Sequence, residues 1–131
     1  MDSFDRGVSY WVDIAEYDLE TAEAMLITKR YLYVGFMCHQ TIEKLLKGYF
    51  VNALNDTPPY THNLSRLAIQ AKIYDILNEE QKDFLDTLEP LNIEARYPTV
   101  KDTVLKSLNQ ARCEELIRKT KELSQWIKTQ L

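Results

Sequence analysis

The sequence predicts an all-α protein, an up-and-down bundle of four long helices and one short one. Three observations predict it. Glycine and proline supply only 7 of 131 residues, about 5% against a usual ~12%, too few for a turn-rich β fold. Leucine alone fills 17 positions. Apolar residues also recur at spacings of three and four along most of the chain, the mark of helices that bury one stripe.

The first helix is expected over residues 4–28, where Phe4, Val8, Trp11, Val12, Ala15, Leu19, Ala22 and Leu26 share a face. Lys29, Arg30 and Tyr31 make a short connection, so the second helix, with Gly35, Cys38, Ile42, Leu45, Leu46, Tyr49 and Ala53, returns antiparallel and runs to about Leu54. Pro58 and Pro59, set among small polar residues, force a loop over residues 55–61. Leu64, Leu67, Ala68 and Ala71 outline the short third helix, with Thr61 or Asn63 as its cap. Asn78 followed by Gln81 resembles a capping box and opens a fourth helix, which Pro90 should kink and Pro98 should end near Arg96. A loop of about eight residues is expected next. Ser107 with Gln110 is a second capping-box match, opening a last helix through Leu116, Thr120, Leu123 and Ile127.

Length and composition fit one domain over residues 1–131, and no repeat or linker divides it. The net charge of −4 argues against nucleic-acid binding through global positive charge, although a local basic patch is compatible with it. The longest uncharged run, residues 31–42, is too short for a membrane span, which needs about 20 residues. The first five residues lack a basic stretch followed by an apolar one, so no signal peptide is read and a cytoplasmic location is expected. Cys38 and Cys113 sit within helical patterns, as buried thiols do. Two histidines and scattered acids show no metal-ligand spacing, and the 3 glycines form no phosphate loop, so neither metal nor cofactor is expected.

Several polar residues fall where the pattern wants apolar ones. Helical projection puts Asp18 inside the apolar arc of the first helix, where a carboxylate needs a partner; Arg96 is the first candidate and Lys47 the second. On the second helix His39 lies among Leu46 and Phe50, with Glu43, Lys47 and Gln40 along a polar border. Glu43 and Lys47, four apart with the acid first, make an intrahelical ion pair. His39 reads as a core histidine or as a ligand-facing one. His62, flanked by Thr61 and Asn63, either belongs to a helix cap or points into a cleft. Arg96, Tyr97 and Pro98 offer a guanidinium fork and a phenol before a forced stop, suited to phosphate and base; the alternative is Arg96 pairing with Asp18 or Glu43.

Taken in order, Trp11 with Ala15 and Asp18-Leu19, then His39-Gln40-x-x-Glu43-Lys44-x-x-Lys47, then Thr61-His62-x-Leu64, then Ala95-Arg96-Tyr97-Pro98 resemble the signature of the HEPN family (higher eukaryotes and prokaryotes nucleotide-binding). The resemblance implies a helical bundle that dimerises and is often paired with a minimal nucleotidyltransferase in a two-component, toxin–antitoxin-like system. It also implies a nucleotide or other phosphate-bearing ligand, with Glu43, Lys44, Lys47, His62, Arg96 and Tyr97 as ligand-binding positions and Asp18 as a structural or site acid. Ribonuclease members resemble one another in carrying Arg, four to six residues, then His. Here Arg30 precedes His39 with eight residues between, and no other arginine has a histidine within that reach. The resemblance therefore points to the non-nucleolytic branch with no catalytic residue assigned. The alternatives are a metal-independent ribonuclease using Arg96 and His62, or a helical interaction module whose polar residues are all salt bridge.

Overall fold

The computed structural model describes residues 3–94 and 97–131, with side chains from residue 7 onward. Among them it shows six α-helices and no strand: α1 (Ser3–Ile27), α2 (Tyr31–Leu54), α3 (Leu64–Gln70), α4 (Glu79–Leu88), α5 (Pro98–Lys106) and α6 (Gln110–Thr129). Short 3-10 turns cover Tyr74–Ile76 and Glu89–Leu91. Helix α2 is the centre of the bundle. It lies along α1 for most of its length and touches α3, α4, α5 and α6.

The turn between α1 and α2 is tight because Lys29 takes a left-handed conformation, φ 61°, letting the Arg30 amide donate back to the Met25 carbonyl at 2.7 Å. The antiparallel hairpin follows from that reversal. Cys38, Ile42, Leu45 and Leu46 of α2 meet Leu116, Leu123 and Ile127 of α6 and Leu64, Leu67 and Leu88 in one buried cluster. Both cysteines are buried free thiols, and burial pushes Cys38 up to about 12 and Cys113 up to about 11. Gly48 marks a close approach of α1 and α2: a Cβ there would lie 3.1 Å from that of Trp11.

The all-α bundle stands as expected, but the elements between residues 88 and 110 differ from their sequence reading. Helix α4 does open with the Asn78–Gln81 capping box. It ends at Leu88, earlier than predicted, and Pro90 sits in a 3-10 turn instead of kinking a longer helix. Proline has no amide to donate, so the chain leaves the α geometry here. Pro98 starts α5 where a loop was expected, because its fixed φ and missing N–H suit a first helical position. Ser107 terminates α5, and Asn109 caps α6 by accepting from the Arg112 amide at 2.8 Å. For α3 the cap is Asn63, with the Thr61 hydroxyl accepting from the Asn63 amide.

Candidate functional site

Helix α2 is largely buried, yet His39, Gln40, Glu43, Lys44 and Lys47 follow one another along it at alternating steps of one and three, which places them on one stripe. The stripe is centred on Glu43, whose side chain is only 2% exposed. A carboxylate that deep requires partners, and three cations or donors supply them. Lys47 Nζ lies 3.2 Å from Oε2, the helical pair read from the sequence. Lys44 Nζ lies 3.9 Å from the same oxygen. His62, reaching in from the loop before α3, places Nδ1 2.9 Å from Oε1. Burial pushes the Glu43 carboxyl up, but His62 and the two lysines outweigh it and hold it below the ordinary value.

Each lysine is engaged a second time. Lys47 Nζ stands 5.6 Å from the centre of the Trp11 ring, a cation–π contact that the close approach at Gly48 makes reachable. Lys44 Nζ donates to Gln40 Oε1 at 2.7 Å and sits 3.8 Å from Asp18 Oδ2. Asp18 therefore meets Lys44, neither Lys47 nor any other described cation, and Arg96, the first candidate, lies outside the described residues. Burial raises the Asp18 carboxyl, Lys44 lowers it and Glu43 raises it again, leaving the net shift upward.

Because Gln40 Oε1 faces Lys44, its amide nitrogen faces His39 Nδ1, at 3.3 Å. The neutral His39 ring then carries its proton on Nε2, which lies 3.9 Å from Glu89 Oε1. Burial drives His39 down to about 4 despite the favourable charge of Glu43, so it is a neutral core histidine. Glu89, in the 3-10 turn after α4, accepts the Leu64 amide at the start of α3 and so joins three elements around this histidine.

Of the residues the sequence singled out, Glu43, Lys44, Lys47, His62 and Asp18 form one connected cluster. Tyr97 is 80% exposed in extended backbone just before α5, and no described hydrogen bond, ion pair or ring contact joins it to the cluster. Glu89 and Tyr60 were not singled out: Tyr60 fell within the proline loop and Glu89 within a fourth helix read as continuing to Arg96. Tyr60, two residues before His62, sets its ring 6.3 Å from the imidazole. Among the described residues no group of three or more His, Cys, Asp or Glu is placed to hold a metal ion, and no helix is long and apolar enough to cross a membrane.

Chemically, the arrangement is a half-exposed imidazole oriented by a buried carboxylate. In the tautomer where Nδ1–H donates to Glu43, Nε2 of a neutral imidazole is left as an acceptor or base. The HEPN domain family profile matches residues 8–130, a span that includes all of these groups. The chain belongs to the HEPN family. Two solved structures carry this HEPN fold. The crystal structure of TT1696 from Thermus thermophilus has a TM-score of 0.80 at 19% identity, over 95% of this chain and 98% of that one. The crystal structure of ST0689, an archaeal HEPN homologue, has a TM-score of 0.64 at 21% identity, over 94% of this chain and 96% of that one. At such identities the likeness concerns the fold. No curated protein matches the sequence.

Proposed function

We propose that this HEPN protein binds a nucleotide at the Glu43 cluster and acts, as a cytoplasmic homodimer, as the partner of a minimal nucleotidyltransferase in a toxin–antitoxin-like pair. The observation that carries the ligand site is the convergence of two separate motif segments, His39 to Lys47 and Thr61 to Leu64, on one buried carboxylate that opens to solvent at His62. A core needing only packing gains as much or more from apolar residues of similar size, so a buried ion cluster that opens to solvent supports a binding role. Within the group Glu43, Lys44, Lys47 and His62, the half-exposed His62 is the ligand-facing edge and the two lysines hold Glu43 ionised behind it, with Arg96 and Tyr97 carried by the family resemblance. Titration of the purified chain with ATP, repeated on His62→Ala and Glu43→Gln, tests the site: binding weakened in both variants supports it, and binding unchanged in both sinks it. Co-purification with a nucleotidyltransferase encoded beside the gene tests the partnership.

One observation favours a second reading, metal-independent RNA cleavage: a carboxylate-oriented imidazole is a general acid–base pair. The Arg-x4-6-His arrangement is absent from this chain, and Arg30 and His39 stand at an exposed turn and in the core respectively. RNA degraded in the presence of a chelator by the wild type and spared by His62→Ala is the outcome that would establish this second reading.

A further inference from the structure

The loop before α3 delivers two aromatic rings to the rim of the cluster. Pro58 and Pro59 fix the backbone ahead of them. Tyr60 leaves that loop with its ring wholly in solvent, at 101% of reference exposure. Its centroid lies 6.3 Å from that of His62, with the planes at 61°. Such a ring gains nothing from burial, and its open face accepts a planar group by stacking. His62 beside it places Nδ1 2.9 Å from Glu43 Oε1, and in the neutral tautomer that donates this hydrogen bond Nε2 is left as an acceptor.

The cations behind this rim offer no comparable opening. Lys44 and Lys47 face the carboxylates of Asp18 and Glu43 at 3.2 to 3.9 Å, and the Lys47 side chain is 11% exposed. Glu89 adds a further carboxylate 3.9 Å from His39. A polyphosphate brought here meets lysines already neutralised and acids that repel it.

Resting on the nucleotide-binding reading above, we infer that the site reads the base of its ligand and not the phosphates: an amino-bearing nucleobase stacks on Tyr60 and donates its exocyclic amine to His62 Nε2. Adenine and cytosine carry that donor. Hypoxanthine and uracil present a carbonyl at the same position, so a lone pair meets a lone pair.

The test is a set of titrations of the full chain with adenosine, cytidine, inosine, uridine, ATP and inorganic tripolyphosphate at low and high salt. Adenosine and ATP are expected to bind with affinities of the same order, with little dependence on salt. Inosine is expected to bind about tenfold more weakly than adenosine, the loss of one hydrogen bond. His62→Ala should erase that difference. Tyr60→Ala should weaken adenosine about tenfold and Tyr60→Phe should restore it, since only the aromatic face is used. Because Tyr60 touches solvent on all sides, neither change threatens the fold. Tripolyphosphate that displaces ATP while adenosine fails to bind overturns the inference and leaves nucleotide binding intact; a phosphate contact from Arg96 would show itself in that arm. Failure of both adenosine and ATP to bind removes both readings.

Discussion

At His39 burial and protonation oppose each other directly. The ring is fully enclosed, and burial lowers its pKa from 6.5 to about 4 against the pull of Glu43. Between those values the unfolded chain binds a proton that the folded chain refuses, so stability falls as pH drops through the window and is level above it. The expected loss from pH 7 to pH 5 is about 2 kcal/mol, read as a lower urea midpoint. His39→Gln should flatten that slope, and an equal slope in the variant would exclude His39 as its origin. Asp18 has the opposite sign. Its raised pKa means that the ionised form, present above the ordinary 3.8, costs folded-state stability as pH rises through the shifted value. Asp18→Asn is therefore expected to leave the melting temperature at pH 7 unchanged or higher. Glu43→Ala should instead cost about 3 kcal/mol, because it strands Lys47 in a buried position. Thermal melts of the two variants side by side decide this contrast. The Glu43–Lys47 pair was legible because a spacing of four is local. The apolar arc showed that Asp18 needs a partner, but which cation arrives is set by how α1 crosses α2, and no spacing within one helix encodes that. His62 was legible as a residue at a helix mouth; its landing on Glu43, 19 positions back, depends on the path of the proline loop.

Among the elements, α1, α2 and α3 were readable because long apolar periodicity and a proline pair leave few alternatives. The stretch after Leu88 was not, because proline has two uses. It ends one helix at Pro90 and begins another at Pro98, and only the surrounding packing tells which. The cap of α6 shows the same ambiguity on a smaller scale, since Ser107 and Asn109 are both capping residues two positions apart. The structure gives the amide of Arg112 to Asn109, so Asn109→Ala should cost about 1 kcal/mol of stability, with Ser107→Ala costing less. Denaturation curves with the reverse order would restore Ser107 as the cap. Gly48 is a further test of element packing. In an open helix a change to alanine stabilises by about 1 kcal/mol, but here the added methyl sits 3.1 Å from Trp11 Cβ, an atom fixed to the backbone of α1. Gly48→Ala should therefore bring no gain in melting temperature and should disturb the Trp11 ring under Lys47, visible as a change in tryptophan fluorescence.

For the whole molecule, the Asp18, Glu43, Lys44 and Lys47 side chains and an open apolar groove lie on the same α1–α2 hairpin. Thr21, Met25 and Thr28 follow Asp18 along α1 at helical steps, while Tyr33 and Met37 precede Lys44 on α2, and together with Arg30 these residues line the groove. Tyr33 is 50% exposed. A methionine-rich groove of this kind adapts its shape to an occupant, and a two-fold partner presents the same face in return. The chain exposes 7552 Å², so a dimer interface of ordinary size, about 800 Å² per partner, would cover roughly a tenth of it. We expect a homodimer through this face, seen by sedimentation at about tens of micromolar, the range in which a modest interface associates. Tyr33→Glu puts a charge into the groove that a self-complementary contact cannot bury without cost, so it should shift the protein to monomer while its helical circular dichroism stays unchanged. A wild type that sediments as a monomer removes the dimer. A variant that remains dimeric moves the interface elsewhere, with the exposed Val100 and Leu105 of α5 as the next surface to mutate.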